Sequence, residues 1–205
     1  MNIIDKINRY LSGLRLMSRL GYIPPRNLFG RMDPTSHITA PATLANPSHI
    51  FIDDHCSIDK NSVLLATNCR IIIKKFFVAS TGLHISTGEH ERRVGMFLGQ
   101  ITESVKNHEI GLDADVIINE DVWAGFNVSI MAGVTIARGC TLAAGSVVTH
   151  STAPYSIWGG VPAKHIKFYW TIDQILEHEK QLYKESERFS REQLVDIFKQ
   201  FEKQK

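Results

Sequence analysis

No stretch of this 205-residue chain stays apolar for the roughly eighteen residues a bilayer-spanning helix needs, so a membrane span is excluded. Net charge is almost absent too. Lys+Arg number 23 against 21 Asp+Glu, a formal +2, which leaves no global field for nucleic acid. Cysteine is scarce: Cys56, Cys69 and Cys140 are an odd, scattered set without metal-ligand spacing, read as reduced thiols of a cytoplasmic protein. The opening MNIIDKINRYLSGLRLMSRLG lacks a continuous apolar block and is not a signal peptide. What remains, 43% hydrophobic and 21% charged, is ordinary for a globular chain.

Helical periodicity is present at both ends and missing between them. Ile3, Ile4, Ile7, Leu11, Leu14 and Met17 recur at helical intervals over residues 3–20, with Lys and Arg between them. Gly21 and Pro24-Pro25 stop that segment. Its polar face is only modestly basic, which favours a packing helix over a membrane-surface one. From residue 171 the helical spacing returns, with Ile175, Leu176, Leu182, Leu194, Ile197 and Phe198 as buried points. Thr171 caps the first segment, and Ser190 with Gln193 forms a capping box for the second.

Between about 36 and 150 the chain becomes short-segmented, β-branched and rich in Gly, Asn, Asp and Ser. Leu112, Ile118, Ala124, Ile130, Ile136, Leu142 and Val148 repeat every six residues. Four places after each of the first six come Val116, Val122, Val128, Val134, Cys140 and Ser146. A helix repeats every 3.6 residues and a strand every two, so six fits neither. It fits a short strand and a turn, repeated, with two inward residues per unit: a solenoid. Fragments of the same count occur earlier, as Ile38, Leu44 and Ile50, as Ile52, Ile58 and Leu64, and as Ile73, Ala79 and Ile85. Its largest break is an excursion over 86–111, and a long excursion from a regular repeat is more often functional than accidental.

The stretch INEDVWAGFNVSIMAGVTIARGCTLAAGSVVTHSTAPYSIWGGVPAKHIK resembles the hexapeptide-repeat acyltransferases, nearest to the maltose, galactoside and capsular-sugar O-acetyltransferases. The resemblance covers about residues 36–170. It implies an all-β fold, a left-handed parallel β-helix with three hexads per coil, flanked by an N-terminal helix and C-terminal helices. The domain division expected is 1–35 for the helix and linker, 36–168 for the β-helix, and 169–205 for the helical extension. Met131, Ala137 and Ala143 stand where the repeat often carries Gly, Asn or Asp, and Ala124 replaces a larger aliphatic residue.

Acetyl transfer from a thioester to a hydroxyl needs a base for the hydroxyl proton, and imidazole suits that near neutral pH. His90 in Thr87-Gly88-Glu89-His90 lies where the excursion begins, and the resemblance implies that it is the catalytic base. His84 is the second candidate for the base, though expected to face outward from a coil, and His108, at the far end of the excursion, is the third. Glu91, Glu103 and Glu109 are the candidates to orient the imidazole. Small residues at Ala143, Ala144 and Gly145 suit the close approach of an extended pantetheine arm. By resemblance, acetyl-CoA is contacted at Phe126, Ala144, Thr149 and His150, with Lys164 and Lys167 meeting the phosphates of its adenosine end. By resemblance to galactoside-type members, Asp59 and Asn61 on an early coil are candidates to contact the acceptor's hydroxyls, outside the catalytic set. Trp123, just outside a coil, suits packing against a neighbouring subunit.

The resemblance further implies a homotrimer with sites between subunits, acting on a small-molecule or glycan hydroxyl. N-acetylation of an amino sugar and O-acetylation of serine or an antibiotic are the alternative chemistries. A non-catalytic scaffold is the alternative class, disfavoured by the VPAK ending. A metal-bearing solenoid would need three suitably spaced histidines, and His84, His90 and His108 do not fall on a coil spacing, so no metal is expected.

Overall fold

The computed structural model describes residues 22–108 and 111–202. The predicted helix over 3–20 and Glu109 lie outside the described residues. The chain folds as a solenoid of three parallel sheets, consistent with the left-handed β-helix expected from the repeat. The first sheet stacks Arg31–Met32, Ile50–Ile52, Ile71–Ile73, Val116–Ile118 and Thr135–Ile136. The second stacks His37–Ile38, Ser57–Ile58, Val78–Ala79, Trp123–Ala124, Thr141–Leu142 and Ser156–Gly160. It ends in an antiparallel strand, Ala163–Phe168. The third stacks Ala42–Ala45, Ser62–Leu65, His84–Ser86, Ser129–Ile130 and Val147–Val148.

The register accounts for the period. Ile118 pairs with Ile136, Ala124 with Leu142 and Ile130 with Val148, so a regular coil takes eighteen residues, one hexad per sheet. Every member of the sixfold column from Ile118 to Val148 is buried, as is the column from Val116 to Ser146. Leu112 departs from the expectation: it is half-buried in the excursion and belongs to no strand. The count resumes at Val116–Ile118. Each fully buried aliphatic side chain contributes about 1.5–3 kcal/mol relative to exposure.

Tight corners require a second periodicity. Asp121, Asn127, Gly133, Gly139 and Gly145 all have positive φ, and each lies three places after a core residue of the hexad. Asn, Asp and Gly tolerate this left-handed conformation best, which explains why they recur there. Asn61 is one of these corner residues at φ 60, and Asp59 accepts hydrogen bonds from Thr81 Oγ1 (2.5 Å) and the Lys60 N–H (2.7 Å). Both therefore have structural work on their coil.

Six residues is the rule between sheets, but three steps break it. Leu44 to Ile52 takes eight, Leu64 to Ile73 nine, and Ile85 to Ile118 thirty-three. All three lead from the third sheet to the first, so the insertions stack along one edge of the solenoid. They touch: Asn46 of the first donates to the Thr67 carbonyl of the second at 2.9 Å, and Asn68 of the second donates to Asp113 of the third at 3.0 Å.

Helices α1 (Ile172–Leu182) and α2 (Arg191–Glu202) follow the terminal hairpin. Thr171 Oγ1 accepts from the Gln174 N–H at 3.3 Å, and Ser190 Oγ from the Gln193 N–H at 3.2 Å, as their sequences predict. Ile175 and Leu194 are fully buried, with Leu176 and Phe198 packed on them and Ile197 on the solenoid core. Leu182, expected to be buried, is 62% exposed, and the buried side chains at that end of α1 are Glu179 and, just after it, Tyr183. No helix among the described residues is long and apolar enough to cross a membrane.

Candidate active site

The stacked insertions enclose a cavity of about 380 Å³. His90 borders it with Thr67, Asn68, Ser86, Glu89, Glu103, Lys106 and Asp113. The excursion leaves the third sheet after Ser86 and is closed at its neck by the Ala114 N–H, which donates to the Thr87 carbonyl at 2.9 Å. Buried Thr87 also donates through Oγ1 to the Leu65 carbonyl at 3.2 Å, which ties the neck to the preceding coil.

His90 is solvent-exposed at the cavity rim. Of the acids expected to orient it, Glu91 is buried and accepts from the Asn107 N–H and from Arg93 Nε, both at 2.8 Å. Those two bonds, the Asn107 one first, hold its carboxyl below the ordinary value. Glu103 accepts from Asn68 Nδ2 at 2.5 Å and lies 3.5 Å from His108 Nε2. Both carboxylates thus have partners inside the excursion. His84 faces outward, as expected, on the surface of the third sheet. His108 is turned to Asp113, with Nδ1 3.2 Å from Oδ2.

Asp113, like Glu91, is an enclosed acid of the cavity, its side chain 6% exposed. Burial alone would raise its pKa, but hydrogen bonds from Lys106, Asn68 and His108 outweigh that and hold it at about 2. Glu103, His108 and Asp113 each bring one ligand atom within 4.8 Å of the others. Lys106 Nζ, 2.5 Å from Asp113 Oδ1, already supplies positive charge to that group. No sequence motif marks Asn68, Lys106 or Asp113. The signal available was indirect: three extra residues beside Asn68 in an otherwise regular period.

A second feature runs over the outer coils. Phe126 and Ala144 occupy equivalent corners one coil apart, where the Gly145 N–H donates to the Phe126 carbonyl at 2.7 Å. The backbone is closely approached there, since a Cβ on Gly125 would lie 2.9 Å from the Ala144 nitrogen. Beyond Ala143 the next layer is Gly159, where a Cβ would stand 3.1 Å from Ala143 Cβ, and Gly159 pairs with Lys164. Lys164 and His150 line one cavity of about 460 Å³ with Trp158 and His165. Thr149 Oγ1 lies 2.9 Å from His150 Nδ1. Lys167 is three residues further along the same outer strand, exposed opposite Ile157. Of the six residues expected at the donor site, Phe126 and Ala144 stack at one corner, His150 and Lys164 share a cavity, and Lys167 stands apart opposite Ile157. This expected donor track and the His90 cavity share no lining residue within one chain.

Residues 115–150 match the family described as bacterial transferase hexapeptide (six repeats). A probable macrolide acetyltransferase of Lysinibacillus sphaericus is 34% identical over 117 residues, 52% of this chain and 64% of the relative. A chloramphenicol acetyltransferase of Klebsiella aerogenes is 39% identical over 61 residues, 30% of this chain and 29% of the relative. The chain thus spans less than two thirds of the length of either relative. A hexapeptide-repeat-containing acetyltransferase of Vibrio cholerae O1 biovar eltor, solved with acetyl coenzyme A, superimposes with a TM-score of 0.64 at 25% identity. That match covers 77% of this chain and 85% of the other. In its repeat, its solenoid and its relatives, the chain is therefore similar to the hexapeptide-repeat acetyltransferases.

Proposed function

We propose that this protein transfers an acetyl group from acetyl-CoA to a hydroxyl of a sugar, in a capsular or lipopolysaccharide glycan or its precursor. The observation that carries this reading is the pairing of two features on one solenoid. A histidine borders a polar cavity at the edge where the insertions stack, and the expected donor track comprises a small-residue corner at Ala144 and the basic groups His150, Lys164 and Lys167. The narrow approach at Gly125 and Ala144 fits an extended pantetheine arm, and the lysines fit phosphate. His90 takes the proton of the acceptor hydroxyl as its oxygen attacks the thioester carbonyl. The C–O bond forms, the C–S bond breaks, and the coenzyme leaves as a thiolate that recovers the proton. No acyl-enzyme is needed, because the thioester is already activated.

In this reading the cavity of one copy meets the track of a neighbouring copy, and a homotrimer supplies three such sites. The apolar residues on the outer surface support this: Val78 and Trp123, beside each other on the second sheet, are 47% and 50% exposed. Reduced cysteines and acetyl-CoA chemistry fit the cytoplasm. The similarity to macrolide and chloramphenicol acetyltransferases favours a second reading, in which the acceptor hydroxyl belongs to an antibiotic.

Calorimetric titration with coenzyme A and with its form lacking the 3′-phosphate tests the donor site. Saturable binding near one per chain, weakened without that phosphate, supports the reading; no binding at millimolar coenzyme sinks it. Mixing His90→Ala with Lys164→Ala subunits tests the shared site. Reassembled mixed trimers regain activity that neither parent has if base and lysine come from different chains, and stay inactive if they come from the same one.

A further inference from the structure

We propose that Asp113 is the positioning residue for His90: one buried carboxylate clamps both arms of the excursion to the preceding coil and so fixes where the imidazole stands. This rests on the acetyl-transfer reading of His90. The geometry forms a closed circuit. Asp113 Oδ1 lies only 2.6 Å from where a Cβ on Gly88 would sit, so the carboxylate abuts the chain two residues before His90. One residue after His90, Glu91 is tied to the Asn107 N–H at 2.8 Å. Asn107 is flanked by Lys106 and His108, and both reach Asp113, at 2.5 and 3.2 Å. The outgoing arm, the returning arm and the base of the loop therefore meet at one side chain. Asn68 Nδ2, 3.0 Å from Oδ2, anchors that side chain to the solenoid.

The charge and the shape of Asp113 both matter. Its oxygens accept from three donors, one of them an ammonium. An amide in its place has nearly the same volume but turns a donor toward at least one of them. Gly88 has the converse requirement, since any side chain there collides with Asp113.

The test compares Asp113→Asn, Lys106→Gln and Gly88→Ala with the wild-type protein. The measurements are kcat, KM for acetyl-CoA and amide exchange over residues 88–108. Displacing a catalytic group by about 1 Å lowers kcat by roughly 10²-fold. A loss of that order is expected in all three, with an unchanged KM for acetyl-CoA, faster exchange over 88–108, and undiminished protection of the strands at Ile118 and Ile130. Adding Gly88→Ala to an Asp113→Ser chain should cost nothing further, because the collision is gone. The proposal is overturned if Asp113→Asn keeps wild-type kcat and loop exchange. It is also overturned if kcat falls only in step with coenzyme binding and strand protection, which is the signature of general destabilisation. If the wild-type protein acetylates no acceptor, the functional reading fails. Loop exchange still decides the clamp, with opening over 88–108 in Asp113→Asn supporting it and no change refuting it.

Discussion

Removing the carboxylate of Glu179 should release the C-terminal helices from the solenoid without unwinding the coils. Glu179 is fully buried in α1, a position that an acid occupies only with partners. Its Oε1 accepts from Arg138 Nη1 at 3.0 Å and the Tyr155 hydroxyl at 2.8 Å, and its Oε2 from the Phe189 N–H at 2.6 Å. Arg138 comes from a coil corner, Tyr155 from the approach to the terminal hairpin, and Phe189 from the link between the helices. One side chain thus joins three elements. In Glu179→Ala, Arg138 keeps Glu120 at 3.4 Å and the Glu187 carbonyl at 2.9 Å, but Tyr155 and the Phe189 N–H lose their acceptor.

Breaking a buried ion pair by deleting one partner costs about 3–5 kcal/mol. Local opening of α1 should therefore become roughly 10²- to 10⁴-fold more frequent. Glu179→Gln keeps one acceptor and loses the charge, so a charge-assisted bond of about 1.5–3 kcal/mol is at stake. Amide exchange of Ile172–Leu182 reads this directly, while the buried strands serve as the internal control. A change below about 1 kcal/mol in Glu179→Ala would refute the argument, since the desolvation penalty of orphaned buried donors alone exceeds that. The combination Arg138→Met, Glu179→Leu and Tyr155→Phe should recover much of the loss, because apolar groups of similar volume need no partner. Alkali acts on the same contact. Burial, and then the bond to Glu179, push the Tyr155 phenol far above its ordinary value. Its contribution is whole below about pH 10, the unfolded value, and falls as pH rises beyond it.

His90→Ala should abolish acetyl transfer while calorimetric affinity for coenzyme A stays near wild type, because cavity and track are separate; retention of most of the rate would remove His90 as base. Gly139→Ala should cost about 2–5 kcal/mol, since φ is +65° and the new Cβ would fall 2.6 Å from Tyr155 Cε1. Gly133→Ala, at φ +78° with its nearest atom at 3.5 Å, should cost only about 1–2 kcal/mol, and equal losses in urea titrations of the two would contradict the steric account. Asp113 has a folded pKa of about 2 against an ordinary 3.8. Its stabilisation is therefore complete above pH 3.8 and lost as pH falls toward 2. Amide exchange over 88–108 should show that loss first, and an excursion still protected at pH 2 would count against it.

The solenoid was legible in the chain because its core repeats. Ile118 to Val148 and Val116 to Ser146 obey a count that no helix or single strand satisfies, and each of those positions is buried. Leu112 kept that count by coincidence; burial in a solenoid depends on strand pairing, which a periodic residue inside a loop does not have. Leu182 shows the same limit in a helix: apolar spacing pointed to it, whereas the buried side chains at that end of α1 are Glu179 and Tyr183. The candidate site was only half visible. His90 sits beside a break in the pattern, so its place could be read. Asn68 belongs to a different insertion from Lys106 and Asp113, far from both along the chain, and nothing local relates them. What brings them together is stacking: three irregular steps fall at the same corner, so residues from successive coils meet there. A site assembled from the irregularities of a regular fold is therefore best sought by asking at which corner the period fails, and whether it fails there more than once.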